Sequence, residues 1–394
     1  MAATAQSHVF RTSTSKSSNS SEGLVGETVL VTGGAGFIGR HVAKALLARG
    51  DRVRILDSLI EQVHPARQRP EELDADVELL AGDVRDDEMV ARALEGVDSV
   101  IHLAAEVGVG QSMYAVDRYT SVNEYGTAVL FQRLIEKPVR RVVVASSMSI
   151  YGEGLYRTAD GTLMEDVVRG PRNPDGSWDP LDRQGRPLVP VRTPESKRPA
   201  LKSVYAIGKY VQERLTLTLT AQYGMEGSAL RLWNAYGPGQ ALSNPYTGVL
   251  AIFASRIANG QRPMIFEDGQ QRRDFVHVRD VARAFLLALD NPAANGEVFN
   301  IGSGEERTVD EVALMQAASM GRADLAPEIT GKARAGDIRH NIPDLTKART
   351  VLGYERQESF SEGLAELAEW VARQEAQDRV ADARRELEER GLVA

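Results

Sequence analysis

The sequence predicts a doubly wound α/β fold, a parallel sheet with helices on both faces, followed by a smaller α/β C-terminal lobe. Three observations predict it. Strand-like and helix-like segments alternate from residue 28 onward, the pattern of a parallel sheet joined by crossover helices. The first strand and helix are joined by the glycine-rich turn Thr32-Gly33-Gly34-Ala35-Gly36-Phe37-Ile38-Gly39. The second strand-like run, Arg52-Val53-Arg54-Ile55-Leu56, ends at an acid, Asp57.

Residues 27–32 are short, β-branched and apolar, whereas Phe37, Ile38, Val42, Leu46 and Leu47 recur at helical spacing. A tight strand-to-helix turn uses glycine for positive φ and close backbone approach, and the amides of the helix N-terminus then face an anion. The glycines at 34, 36 and 39 satisfy G-x-G-x-x-G, and those at 33, 36 and 39 its G-x-x-G-x-x-G variant. Asp57 follows at about the 20-residue distance at which an acid meets a ribose 2′-hydroxyl. This is a Rossmann-type dinucleotide site, and an acid rather than an arginine at 57 argues for NAD over NADP. Gly33, Gly36, Phe37, Ile38, Gly39 and Asp57 are its first candidate residues.

The pattern places further strands at 77–81, 99–103, 141–145 and 228–232, and helices at 37–49, 87–94, 116–135 and 205–223. Gly82-Asp83-Val84 and His102-Leu103-Ala104-Ala105 close the third and fourth strands, at the carboxyl edge where such sheets bind ligands. An adenine ring fits against that edge, which adds Asp83, Val84, Leu103, Ala104 and Ala105 to the cofactor candidates.

Residues 1–24 are rich in Ser and Thr and poor in large apolar residues, so they read as a disordered tail. Acids are missing before Glu22, as in a transit peptide, but arginine is sparse and no amphipathic helix is evident. The dinucleotide-binding domain is expected over 25–232, interrupted by an insertion at 155–203 rich in Pro, Gly, Arg and Asp. So long a loop is either functional or disordered, and it joins two segments that carry catalytic candidates. A substrate lobe is expected over 233–370, with Thr308 and Glu311 spaced as a capping box. A C-terminal helix occupies 371–394, part of a run from 361 to 390 whose sparse apolar stripe ends at Gly391. That stripe suits a solvated helix packed by one narrow face better than a coiled coil.

With 42% hydrophobic and 26% charged residues the composition is that of a globular chain, and a net charge of -8 argues against a nucleic-acid surface. No apolar run reaches membrane length and no signal-peptide core is present, so a cytoplasmic location is expected. The absence of cysteine removes disulfides, thiolate metal sites and cysteine nucleophiles. The six histidines are scattered, and no metal is expected.

Tyr205 and Lys209 stand four residues apart, on one face of the predicted helix. A phenol with an ordinary pKa of about 10 is a poor base at neutral pH, but a nearby ammonium and a positive nicotinamide ring both favour its phenolate. Upstream, Ala145-Ser146-Ser147-Met148-Ser149-Ile150-Tyr151-Gly152 ends a strand with hydroxyls that can bond the oxygen the tyrosine deprotonates.

These motifs, in this order, resemble those of the extended short-chain dehydrogenases/reductases, in the nucleotide-sugar epimerase/dehydratase family. The likeness covers roughly residues 27–370 apart from the insertion, and includes Asn123 before Gly126-Thr127, Leu230 through Pro238, Arg273 through His277, Phe299 through Gly302 and Asp344 through Tyr354. It implies that Ser147, four residues before Tyr151, is the catalytic hydroxyl, with Ser149 the second choice. It implies a cofactor contact at Asn123, a diphosphate site at Asn234, Arg273 and Arg334, and a ribose contact at Asp337. It also implies a homodimer formed through the helices at 116–135 and 205–223.

Departures from the family's pattern narrow the reaction. The 4,6-dehydratases carry an acid pair where this chain has Met148 and Ser149, and the 3,5-epimerases use a cysteine this chain lacks. Oxidation and re-reduction at one carbon needs only Tyr205, Ser147, Lys209 and NAD, so the resemblance implies a 4-epimerase of a nucleoside-diphosphate sugar. A net dehydrogenase or reductase, a 4,6-dehydratase and a non-catalytic cofactor-binding protein are the alternatives. Likeness at 106–114, at 147–152 and in the insertion points to a dTDP-6-deoxyhexose such as dTDP-L-rhamnose, with UDP-hexose or UDP-glucuronate next.

Overall fold

A computed structural model of the chain describes residues 26–242, 244, 246, 248–334, 337–374 and 380–393. The tail expected at 1–24 lies outside the described residues.

Seven parallel strands form the central sheet: β1 (Thr28–Thr32), β2 (Arg52–Asp57), β3 (Glu78–Ala81), β4 (Ser99–His102), β5 (Arg141–Ser147), β6 (Glu226–Leu232) and β7 (Val298–Ile301). Their order is β7-β6-β5-β4-β1-β2-β3. Strand order therefore reverses between β1 and β4, which opens a crevice at their carboxyl ends.

The period of two along each strand loads both faces with apolar side chains. Val29, Val31, Ile55, Ile101, Val143 and Phe299 face one core, packed by Val42 and Leu46 of α1 (Phe37–Arg49) and by Val281 and Phe285 of the helix Val278–Asp290. Leu30, Leu56, Val100 and Val142 face the other, covered by α2 (Asp87–Ala93) and α3 (Gly126–Glu136).

Helix ends follow local chemistry. The Asp86 carboxylate accepts from the amides of Glu88 and Met89 and starts α2, and Gly50 stops α1 in the left-handed region. Ser203 caps α4 (Val204–Gln222) by accepting from the Ala206 amide at 3.1 Å. The Thr308/Glu311 capping box is present at the start of Val309–Ser319.

Three elements differ from the sequence expectation. The segment expected as one helix at 116–135 is an α-turn, a π-bulge at Ser121–Tyr125, and then α3. The C-terminal run contains two described helices, Phe360–Val371 and α5 (Val380–Glu389). Residues 298–301, expected in the second lobe, are the seventh strand of the main sheet because Phe299 and Ile301 are fully buried against β6. The helix Val278–Asp290 likewise packs on α1, so the chain returns to the first layer after building part of the second.

The rest of the second lobe is the sheet formed by Asn234–Tyr236, Arg272–His277 and Glu306–Thr308, with helices Val249–Ala258, Val309–Ser319 and Phe360–Val371 around an apolar cluster. The insertion folds as three short strands, Leu163–Met164, Leu155–Arg157 and Val189–Val191. Among the described residues, no helix is long and apolar enough to cross a membrane.

Candidate active site

The glycine turn sits at the carboxyl end of β1, beside the reversal of strand order. Gly33 has φ 67, and a Cβ there would lie 2.7 Å from the Ala104 nitrogen, so only glycine lets this turn pass the end of β4. Gly36 is the N-cap of α1, with no side-chain cap bond and no acid in the first turn. A Cβ on Gly36 would meet only the Gly33 carbonyl, at 3.3 Å. The space in front of the Phe37, Ile38 and Gly39 amides is therefore open and electropositive, and it fits the pyrophosphate of a dinucleotide.

Asp57 ends β2 across from the turn, its two oxygens accepting from the Ala35 amide at 3.0 Å and the Leu59 amide at 2.9 Å. An acceptor-only group held this way keeps lone pairs for a ribose hydroxyl. Asp83 instead spends its carboxylate on Arg85, whose Nε and Nη2 donate at 2.9 and 2.6 Å. Val84 is buried in the second core, against Gly126. Leu103, Ala104 and Ala105 form the half-buried end of β4, where the Thr32 hydroxyl accepts from the Ala104 amide at 3.3 Å. Asn123 is fully buried; its amide accepts from the Glu106 N–H at 2.7 Å and donates to the Glu106 carbonyl at 3.1 Å. It fixes the loop after β4.

The candidate catalytic residues come from β5 and α4, which pack together. Ser147, the last residue of β5, accepts from the Ser149 hydroxyl at 2.9 Å and from the Ser149 amide at 3.2 Å. Burial raises the Tyr205 pKa, and the neighbouring Ser147 hydroxyl partly offsets that rise. Lys209, one helical turn on, donates to the Ala145 carbonyl at 2.9 Å and to the Gln212 side chain at 2.8 Å. Burial pushes its ammonium down to about 7.

The protein alone thus raises the tyrosine and lowers the lysine, against the sequence expectation that the lysine depresses the phenol. Desolvation is the larger effect here, because both groups leave water for a closed site.

Sequence reasoning missed Gln212, which is fully buried. It accepts from Lys209 and donates to Thr127 Oγ1 at 3.0 Å and to the Ala104 carbonyl at 3.1 Å. His102, beside it, bonds Thr32 Oγ1 at 2.7 Å and Thr127 Oγ1 at 2.8 Å, and burial pushes its pKa down to about 3, so it is neutral. The signal was available: Gln212 lies three residues after Lys209, on the same helix face.

One cavity of about 380 Å³ brings Ser147, Ser149 and Tyr205 together with Asn234, Arg273, Arg334 and Asp337. Asn234 donates to the Asp274 carbonyl at 2.8 Å. Arg273 donates to the carbonyls of Arg339 at 2.9 Å and of Ile338, with Asp337 at 3.6 Å. Arg334 is exposed, pairs with Asp337 at 3.0 Å and lies 4.8 Å over the Phe266 ring. Two arginines and a polar amide at one end, and a hydroxyl pair at the other, are the features of a site for a diphosphate joined to an alcohol.

The sequence matches the NAD dependent epimerase/dehydratase family over residues 29–175 and 184–302. The chain belongs to that family. The dTDP-L-rhamnose 4-epimerase of Burkholderia thailandensis is 36% identical over 359 residues, 89% of this chain and 96% of that protein. The UDP-glucose 4-epimerase of Thermotoga maritima, solved with UDP-glucose, is similar with a TM-score of 0.71 and 32% identity, over 88% of this chain and 98% of that one. The dTDP-glucose 4,6-dehydratase of Streptomyces venezuelae, solved with NAD, has a TM-score of 0.72 and 29% identity, over 88% and 97%. As a member of the epimerase/dehydratase family this chain is an NAD-dependent isomerase, and its sheet is that of the solved epimerases. Among the described residues, no group of His, Asp or Glu is arranged to hold a metal.

Proposed function

We propose that the protein is a nucleoside-diphosphate-sugar 4-epimerase, with a dTDP-6-deoxyhexose such as dTDP-L-rhamnose as the first substrate to test. One observation carries this reading: the bonded hydroxyls of Ser147 and Ser149, the Tyr205 phenol and the Arg273/Arg334 pair line a single cavity. No carboxylate follows Ser147, since Met148 and Ser149 stand there. This favours epimerisation over loss of water, which needs a group to remove a carbon-bound proton.

When bound at the glycine turn and Asp57, NAD supplies the acceptor and donor of hydride. Tyr205 takes the proton of the 4-hydroxyl, and Ser147 holds that oxygen as it becomes a carbonyl. The 4-keto sugar turns over, anchored by its diphosphate on Asn234, Arg273 and Arg334, and Asp337 meets the nucleotide ribose. Tyr205 then returns the proton, so the cycle is neutral in protons and electrons. Lys209, braced by Gln212, would hold the nicotinamide ribose, and the positive charge of a bound cofactor would lower the Tyr205 pKa that burial has raised.

Purified protein incubated with dTDP-L-rhamnose, UDP-glucose and UDP-glucuronate should convert one of them to its 4-epimer, resolved by chromatography, with no net gain at the NADH absorbance band. Stoichiometric NADH would indicate a dehydrogenase, and a product lighter by one water a dehydratase; either replaces this reading.

The same proposal includes a homodimer through α4 and the 116–136 segment. Val116, Tyr125, Ile207 and Tyr223 are exposed there, at 47%, 58%, 41% and 43%, more apolar surface than a solvated helix pair needs. A monomer in sedimentation at micromolar concentration would remove it.

A further inference from the structure

The helix α5 follows the second lobe and, with the residues after it, lines part of the cavity. The Tyr114 and Tyr246 phenol oxygens lie 3.0 and 2.9 Å from the Glu386 carboxylate and 2.6 Å from each other, a three-oxygen cluster joined by the two phenol protons. Arg390 lies 4.2 Å over the Tyr114 ring, and Lys332 pairs with Glu388 at 2.9 Å. Gly391, with φ 68, turns the chain back, the Leu392 amide bonding the Leu387 carbonyl at 2.9 Å. Val393 then forms an antiparallel bridge to Arg334. The segment thus spans from the Tyr114/Tyr246 pair to the arginine assigned to the diphosphate.

These anchors put Leu387, which is buried, and Leu392 into the wall of the cavity that holds Ser147 and Tyr205. Leu387 meets the loop after β4, where a Cβ on Gly110 would lie 3.5 Å from it. In that loop a Cβ on Gly108 would lie 3.1 Å from the Tyr119 hydroxyl, and Gly108 and Gly110 line the same cavity as Tyr205. Leu387 therefore shares the cavity with Ser147 and Tyr205, and the bridge at Val393 ties the segment to Arg334. An isobutyl group offers a sugar hydroxyl no partner but packs well on a methyl group.

We propose that residues 386–393 are a wall of the substrate site, in which Leu387 and Leu392 contact the deoxygenated carbon of the sugar and Glu386 is the positioning residue that holds them there. The proposal rests on the nucleotide-sugar reading and adds to it the part of the sugar that is selected. Charge on the substrate falls to Arg273 and Arg334, and its apolar edge to α5.

The test compares the full chain with a chain ending at residue 374 and with Leu387→Ser, Glu386→Ala and Glu386→Gln, each checked for bound NAD and melting temperature. With dTDP-L-rhamnose, the shortened chain and Leu387→Ser should raise KM roughly tenfold, the discrimination an apolar contact supplies, while kcat changes little. Glu386→Ala should raise KM as well, and Glu386→Gln, which still accepts from the phenols, should restore it. The preference for a dTDP-6-deoxyhexose over the matching dTDP-hexose should fall in Leu387→Ser. Unchanged KM and preference in Leu387→Ser would overturn the proposal, and that variant decides the matter if the shortened chain does not fold. Should the full chain epimerise no sugar, the nucleotide-sugar reading fails on that result. Calorimetric titration of the same sugars then judges the wall, and equal affinity for the full and Leu387→Ser chains, or no binding by either, overturns it.

Discussion

At the reacting end of the cavity, Ser147 stands at the end of one strand, and Tyr205 and Lys209 stand on one helix packed against it. At the other end, Arg273, Arg334 and Asp337 come from the central strand of the second-lobe sheet and an irregular segment, all at least 51 residues beyond the end of α4. The first end is held by its own register: β5 pairs along its length with β6, and the Lys209 ammonium reaches back to the Ala145 carbonyl. The second needs a brace. Arg339, 1% exposed, donates to Asp268 at 2.5 Å, to Glu267 at 3.2 Å and, across to the insertion, to Asp179 at 2.8 Å. His340 bonds the same Asp179 at 3.0 Å. The insertion thereby fixes residues 337–341, the backbone on which Arg273 leans. Regular elements carry their side chains to position unaided, whereas an end that includes an irregular segment borrows its rigidity from charges brought by another segment.

This contrast predicts that damage at the first end lowers kcat and damage at the second raises KM. Tyr205→Phe deletes one hydroxyl and should lower kcat by ~10²–10⁴-fold, the usual worth of a general acid–base group, with NAD and sugar still bound. Near-normal turnover in a folded, NAD-containing variant would end the mechanism.

Arg339→Met should come next. It leaves three carboxylates without their shared partner, a loss of about 3–5 kcal/mol in urea unfolding, and raises KM with little change in kcat. If kcat fell instead, the two ends would not be separable.

A pH test sharpens the first end. In the NAD-free protein burial holds Lys209 down at about 7, below its ordinary 10.5. Between those values the unfolded chain binds a proton that the folded chain does not, so stability rises with pH, by at most about 1.4 kcal/mol per unit. Lys209→Met should flatten that rise in urea titrations between about pH 7 and pH 10, and an unchanged slope would place the lysine in water.

The smallest effect is expected from Gln212→Ala, which removes one buried partner of Lys209 at a cost of about 1 kcal/mol. It should loosen NAD several-fold and shift the alkaline limb of the pH–rate profile; a purely structural role would lower the melting temperature and leave that limb in place.

The same difference explains what could be read from the chain. The glycine turn, the strand pattern, the capping box and the Tyr205/Lys209 pair were legible because each is fixed by contacts a few residues apart or by periodicity. The seventh strand was not, since Val298-Phe299-Asn300-Ile301 is too short to declare its partner. Nor was the end of the chain: Leu387 and Gly391 were visible as a helix face and a stop, but nothing local tells which surface the helix covers.

The sequence by itself therefore determined six strands of the sheet, the glycine turn and the pairing of Tyr205 with Lys209 on one helix, because backbone sterics and hydrophobic period act over short range. Only the tertiary structure decided that the insertion braces the arginine end and that α5 walls the cavity. Those contacts join residues such as Asp179 to Arg339 and Glu386 to Tyr114, 160 and 272 positions apart, and at that distance partner choice depends on the packing of the whole chain.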